Sequence, residues 1–327
     1  MNNTVLEIID VISKTKEIYI ASHVNPDGDN LGSILGITHA LKKLGKNVHI
    51  IKTDEIPSDY LFLPGIDLIK QYDSNGLLDL LIVLDCGDAD RLGEFKKLIS
   101  KATKTINIDH HVSNTCFGDY NLVDDKAAAT AEIVYKLVTS MGIELDENIA
   151  TCLYTGISTD TGSFMYDSVS DKTHEIVAEL IRAGIDKTSI TINLYQNRSM
   201  PRTKLFIDSF STLNTFDSDR IATVKVTQNM LEKANAKMED TEGIISFIRD
   251  IDSVEVAVLL KEFKKNEIKI GLRSKKFIDV AEICAAFNGG GHIRAAGCTI
   301  NDSIENAEKL ITDKIMKAFR WYNGWSN

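Results

Sequence analysis

The chain has 327 residues, enough for two domains that each bury a core of their own. Apolar residues make up 43% and charged residues 26%, as in ordinary globular proteins, and the longest apolar run, near residues 77–84, is too short to span a bilayer. A net charge of −10 excludes a grip on long duplex nucleic acid, which needs a basic surface.

That charge is uneven. Residues 1–215 carry 20 Lys+Arg against 30 Asp+Glu, and residues 216–327 carry 17 against 17. A short anionic ligand remains compatible with this balance if metal ions and a few cationic side chains line its site. The five cysteines, Cys86, Cys116, Cys152, Cys284 and Cys298, are scattered and include no Cys-x-x-Cys pair. They suggest neither a disulfide framework nor a zinc knuckle, and a reducing cytoplasm suits them. Glu7 and Asp10 come early, and no basic-then-apolar leader pattern is present.

In chain order, residues 4–14 read as a short helix and 17–22 as a strand. Leu31, Ile34, Leu35, Ile37, Leu41 and Leu44 recur at helical spacing, with Gly45 as the stop. A strand at 47–52 completes a βαβ unit, and 53–76 is loop-rich. Strands are expected at 78–85 and 104–108 with a helix near 93–101 between them. Strands alternating with helices argue for a parallel sheet covered on both faces. Further helices are expected at 127–141, 147–155 and 171–183, with a helical connector over 186–215. From about residue 218 the pattern changes. Strands at 221–226, 254–260 and 267–272 are expected, the last two as a hairpin. Helices are expected near 228–235, 243–249, 279–287 and 303–320, and the last few residues should fray.

Four stretches of the first part carry chemistry. His23-x-x-x-Asp27-x-Asp29 offers one imidazole and two carboxylates after a strand, with Gly28 letting the backbone turn between the acids. Mixed oxygen and imidazole donors suit Mn²⁺ best, with Mg²⁺, Co²⁺ or Fe²⁺ as alternatives. The bland reading is a solvated loop in which Asp29 caps the next helix. Asp85 ends an apolar strand, where a buried charge needs a partner; a metal ion or a hydrogen-bonded cap would each serve. Asp109-His110-His111 places an acid and two imidazoles at a strand end, where sites form in open α/β sheets. Neighbouring side chains on an extended segment point to opposite sides. One histidine can therefore ligate metal while the other faces substrate, with Asp109 orienting an imidazole. Asp160 lies among small residues that permit close approach of a ligand, or it forms an Asx-turn.

In the last third, Gly289-Gly290-Gly291-His292-Ile293-Arg294 can expose backbone N–H groups as an anion-binding concavity. Three successive glycines cost entropy, which argues against an idle turn. Arg273-Ser274 after a strand adds a second cationic group suited to phosphate. Lys275 and Lys276 read as a solvated basic face, and His39, His49 and His174 as structural.

The ordered set of motifs resembles the DHH/DHHA1 phosphoesterase family over nearly the whole chain. The resemblance implies an α/β fold: a parallel-sheet DHH domain over 1–185, a helical linker over 186–217, and a smaller α/β DHHA1 domain over 218–327, with the active site in the cleft between the domains. It implies that His23, Asp27 and Asp85 hold one Mn²⁺ and that Asp29, Asp85, His110 and Asp160 hold a second, Asp85 bridging. His111 would face the scissile phosphate. Arg273, Ser274, Gly289, Gly290, Gly291 and His292, with Arg294 beside them, would bind the terminal phosphate. The length is similar to that of the short members that act as oligoribonucleases and 3′-phosphoadenosine 5′-phosphate (pAp) phosphatases. The implied partners are therefore short RNA oligonucleotides such as pApA, and pAp itself; a homodimer is a family-level expectation. Family II inorganic pyrophosphatases share the N-terminal motifs, but their Ser-Arg-Lys-Lys signature stands here as Arg273-Ser274-Lys275-Lys276. A non-catalytic nucleotide-binding protein is the third alternative, against which the intact acid set argues.

Overall fold

The computed structural model describes residues 2–72 and 76–324. Residues 73–75 of the expected loop, and the chain end at 325–327 expected to fray, lie outside the described residues. The chain forms two compact units, residues 1–197 and 198–327, so the helical linker expected over 186–217 divides between them.

The first unit contains α1 (Val5–Lys14), β1 (Glu17–Ser22), α2 (Gly28–Lys43), β2 (Asn47–Ile51), β3 (Ile69–Lys70), β4 (Leu80–Leu84), β5 (Thr105–Asp109), β6 (Tyr120–Val123), α3 (Thr130–Ser140), α4 (Glu147–Asp160), α5 (Asp171–Arg182) and α6 (Lys187–Tyr195). Its six strands are all parallel, in the order β3-β2-β1-β4-β5-β6. Alternation assigns the faces: Ile18, Ile20, Leu80, Ile82 and Leu84 pack with the helices, and Ala21, Leu81 and Val83 pack with Leu92 and Leu98 on the other side. Each fully buried aliphatic contributes on the order of 1.5–3 kcal/mol. The chain runs outward from β1 through β2 to β3, then returns to β4 on the other flank of β1. The carboxyl ends of β1 and β4 therefore flank the point where strand order reverses, the crevice in which open α/β sheets place ligands.

Several elements differ from the sequence expectation. The helix expected near 93–101 is a run of 3₁₀ turns over Ala89–Lys101, broken where Gly93 takes φ +58°. Strand β6 carries little sequence signal, with only Tyr120 and Val123 typical of strands. Helix α4 continues through Gly156 to Asp160, so Asp160 ends a helix rather than sitting in a turn. Gly156 is there for packing: Gly28, Gly32 and Gly36 of α2 lie against Thr159, Cys152 and Leu153 of α4, and a Cβ at Gly32 would run into the Cys152 carbonyl. The two helices thus cross antiparallel at backbone contact, bringing the first turn of α2 beside the last turn of α4.

The second unit contains α7 (Met200–Phe210), β7 (Asn214–Phe216), β8 (Ile221–Val226), α8 (Gln228–Ala234), α9 (Ile244–Arg249), β9 (Val256–Lys264), β10 (Glu267–Ser274), α10 (Val280–Ala285), β11 (Gly290–His292), β12 (Ala295–Ile300) and α11 (Ile304–Gly324). The sheet order is β11-β12-β10-β9-β8-β7, antiparallel except for β8–β9. Val256, Val258, Leu260, Ile270 and Leu272 pack with α10 and α11, and Ala257 and Leu259 pack with Ile244 and Ile248 of α9. The glycine run, expected as an open concavity, is the edge strand β11. A Cβ at Gly289 would meet the Gly297 carbonyl, and Gly291 sits at φ +147° against Ala296. Close strand packing therefore accounts for two of the three glycines, while Gly290 faces open space.

Candidate active site

Strand ends and one helix crossing bring the first unit's chemistry together. His23 follows β1 and is buried; its Nε2 lies 3.2 Å from Asp85 Oδ2, just past β4. Its Nδ1 lies 2.8 Å from the Val24 carbonyl, which takes the Nδ1–H and leaves the Nε2 lone pair toward Asp85. His110 repeats the arrangement: Nδ1 is 3.3 Å from the Ala127 carbonyl, and Nε2 is 3.3 Å from Asp160, 3.8 Å from Asp85 and 4.0 Å from Asp29. A ring in this tautomer turns a lone pair on a carboxylate oxygen, which needs a proton or a metal ion between them. Donor atoms of His23, Asp27 and Asp85 lie within 4.8 Å of one another, as do those of Asp29, His110 and Asp160, and those of Asp85, His110 and His111. The donor set, carboxylate and imidazole without thiolate, fits hard or borderline divalent ions.

Local structure fixes each acid. Asp27, not Asp29, is the N-cap of α2, accepting from Asn30 N–H. Asp29 sits in the first turn, buried, and accepts from Thr130 N–H at 2.6 Å and Ala131 N–H at 2.9 Å. Ala129, the N-cap of α3, has no side-chain cap bond, so Asp29 caps α3 from another helix. Thr130 Oγ1 donates to Asp85 Oδ1 at 3.0 Å, and Asp85 itself stands at φ +55°, in the left-handed region. Asp109 is fully buried and holds His111 Nδ1 at 2.7 Å, while Asn114 donates to its other oxygen at 2.6 Å. Arg91 Nη1 lies 3.2 Å from His111 Nε2.

The electrostatics record four acids crowded together. Burial, then the charges of Asp85, Asp160 and Asp27, push the Asp29 carboxyl well above its ordinary value. Burial pushes Asp160 up to about 6, against the pull of His110. Burial also works on Asp85, but the hydrogen bond and charge of His23, with His111 and His110, outweigh it and hold the carboxyl below its usual range. For His23, burial pushes down and the Asp85 contact pushes up more strongly, so the ring titrates higher than usual. The hydrogen bond to Asp109 raises His111 as well, against burial and the nearby Arg91.

Thr130, Asn114 and Arg91 did not stand out as site residues. Thr130 follows an alanine run with no cap residue, the one trace of a helix start capped from elsewhere. Arg91 lies six residues beyond Asp85 in an acidic stretch that reads either as solvated or as supporting the site from behind, and the structure sets it beside His111. The other expected residues lie in the second unit. Arg273 and His292 both pair with Ala295, so one sheet row carries all three on one face. Ser274 is buried, with its N–H on the Arg294 carbonyl. Arg294 donates to the Ile278 carbonyl at 2.9 Å, and Gly289 N–H to the Cys284 carbonyl. Glu255 fixes the turn after β10 by accepting from the N–H groups of Lys276, Phe277 and Ile278.

Residues 17–157 match the DHH family N-terminal domain, and residues 219–319 match the DHHA1 domain. The bifunctional oligoribonuclease and PAP phosphatase NrnA of Thermus thermophilus is 33% identical over 287 residues, 86% of this chain and 84% of its own. The protein of the same name from Bacillus subtilis is 26% identical over 313 residues, 94% of this chain and 96% of its own. The crystal structure of an exopolyphosphatase-related protein from Bacteroides fragilis superposes with a TM-score of 0.90 at 29% identity, covering 96% of this chain and 95% of that one. With the motif residues gathered at the strand ends and both domain matches in order along the chain, this protein belongs to the DHH/DHHA1 family.

Proposed function

We propose that this chain is a metal-dependent phosphoesterase that releases mononucleotides from short oligoribonucleotides such as pApA and dephosphorylates pAp. The names of its Thermus and Bacillus relatives support the substrate class. The observation that carries the chemistry is Asp85, buried and within reach of His23 and Asp27 on one side and of His110 on the other. In this reading His23, Asp27 and Asp85 hold one ion, and Asp29, Asp85, His110 and Asp160 hold the second, with Mn²⁺ the preferred metal. When bound, such a pair supplies Lewis acidity and a nucleophile at neutral pH.

The protein's own residues do the rest. Thr130 and His23 fix Asp85, and the α3 N-terminus fixes Asp29, so the carboxylates are oriented before any ligand arrives. Asp109 keeps the Nδ1–H of His111 turned inward, which presents Nε2 to the scissile phosphate beside the Arg91 guanidinium. The Arg91 guanidinium, and the His111 ring when it also carries a proton at Nε2, favour the charge that develops on the phosphoryl oxygens. Residues 1–185 form the catalytic part and 218–327 the substrate-binding part, joined through 186–217. Arg273, Ser274 and His292, with the glycine strand and Arg294, receive the terminal phosphate. Anchoring the free end makes cleavage exonucleolytic, and pAp is a substrate because it resembles the last unit of a chain.

Pyrophosphatase activity is the alternative, and one contact speaks against it. Lys275 Nζ donates to the Ile251 carbonyl at 2.6 Å, which ties down the lysine a Ser-Arg-Lys-Lys motif would use. The test is hydrolysis of pAp, pApA and pyrophosphate with and without Mn²⁺, by the native chain and by Asp85→Ala. Metal-dependent turnover of the two nucleotides, lost in the variant by about 10³-fold or more, is expected. Turnover of pyrophosphate alone, or an active Asp85→Ala, overturns the reading.

A further inference from the structure

Among the described residues of the second unit, no helix packs over one half-face of its sheet. Helix α9 packs on Ala257 and Leu259 of β9, and its Ile245 would meet a Cβ at Gly271 at 3.5 Å. Beyond that contact, β10, β12 and β11 lie open, and register sorts their upper face into three rows. The first row holds Arg273, Ala295 and His292. The second is Gly271, Gly297 and Gly290, three residues without side chains. The third is Lys261, Lys269 and Thr299. A furrow floored by glycine backbone thus runs between two cationic edges, which stand four residues apart along β10, about 13–14 Å. An open cavity of about 550 Å³ lies over the lysine side, lined by Lys261, Lys269, Gly271, Gly297, Thr299 and Asn301 among others.

The lysine edge is poorly explained by folding. Lys261 and Lys269 stand directly opposite each other across β9 and β10, where like charges are unfavourable. Neither has an acidic partner within ion-pair distance among the described residues; Lys269 lies over the Phe263 ring, 3.8 Å from its centroid. Half-burial, Lys269 and then Arg273 push the Lys261 ammonium below its usual range. An anion between the two lysines would relieve that repulsion.

We propose that this furrow is a second phosphate subsite, in which Lys261 and Lys269 hold a phosphate of a single-stranded oligonucleotide whose chain lies over the Gly271-Gly297-Gly290 floor. The proposal rests on the phosphoesterase reading above and names where substrates larger than pAp gain their additional contact. It makes Lys261 and Lys269 determinants of substrate length.

The test compares the native chain with Lys261→Ala/Lys269→Ala and with the charge-keeping Lys261→Arg/Lys269→Arg. The readout is kcat/KM for a tetranucleotide divided by kcat/KM for pAp. The alanine pair is expected to lower this ratio about tenfold and to flatten the salt dependence of tetranucleotide KM by about 0.7 in log–log slope, the value for one phosphate contact on a single strand. The arginine pair should restore the ratio. An unchanged ratio, including an equal loss on both substrates, overturns the proposal. Fluorescence anisotropy with a labelled tetranucleotide, against inorganic tripolyphosphate as competitor, reads the same site without turnover. Weaker tetranucleotide binding by the alanine pair supports the furrow even if the protein hydrolyses neither nucleotide, the result that would sink the phosphoesterase reading alone. A loss confined to tripolyphosphate overturns the nucleotide assignment.

Discussion

His111 meets groups of opposite charge at its two ring nitrogens: the Asp109 carboxylate at Nδ1 and the Arg91 guanidinium at Nε2. The carboxylate raises the tendency of the ring to take a proton and the guanidinium lowers it. Replacing Arg91 by alanine removes the opposing charge, so the His111 limb of the pH–rate profile should move to higher pH. Loss of a donor beside the phosphate should also lower kcat by about 10- to 100-fold. An unshifted profile would remove Arg91 from the reacting groups. At this scale the sequence singled out side chains that the structure brings close together, but not what holds them. His23, Asp85, Asp109, His110 and His111 each follow an apolar strand, and that context makes them visible. Asp29 also serves as the cap of a helix about a hundred residues away, and no local spacing reports such a contact.

At the scale of elements, the distance between Asp29 and Asp160 depends on α2 and α4 touching through Gly28, Gly32, Gly36 and Gly156. Gly32→Ala forces a methyl group into the Cys152 carbonyl. Overpacking of this kind costs about 1–3 kcal/mol, and here it also spreads the acids. A lowered melting temperature together with weaker Mn²⁺ binding by calorimetry is expected; a variant with native affinity would show that the crossing does not set the spacing. These glycines also explain why α4 looks five residues shorter in sequence than it is, since Gly156 imitates a helix stop. The converse happens at the glycine run, where low strand propensity hides β11. Residues 93–101 have enough apolar spacing to suggest a helix, but the left-handed Gly93 and poor helical geometry leave 3₁₀ turns. The parallel sense of β1, β2, β4 and β5 was readable because each is an apolar run separated from the next by a connecting segment, whereas their order in the sheet was not.

For the molecule as a whole, crowded acids tie stability to pH and to cations. Asp29 and Asp160 have raised values in the folded state, so folding favours their protonated forms. That contribution is present at low pH and is lost as pH rises from the ordinary carboxylate range through about 6 for Asp160. His23 and His111, also raised, add stability below their unfolded value that disappears as pH climbs through the folded one. All four shifts have the same sign across the neutral range. The metal-free protein should therefore melt at a higher temperature near pH 5.5 than near pH 8. A fixed Mn²⁺ concentration, about 100 times the Kd at pH 5.5, should add about 2.7 kcal/mol per site at that pH, and the same concentration should add more at pH 8, where protons no longer compete for the ligands. Calorimetric melts at both pH values, with chelator and with Mn²⁺, check this; equal Mn²⁺ gains at the two would argue that the acids do not hold the ions.

The edge strands have a separate consequence. β3, β6, β7 and β11 close the two sheets and are two, four, three and three residues long. Each offers only a short row of unpaired main-chain groups, and β11 is mostly glycine. A stray extended segment from another copy would find little ladder to extend, so the architecture resists the edge-to-edge growth that drives fibrillar self-association.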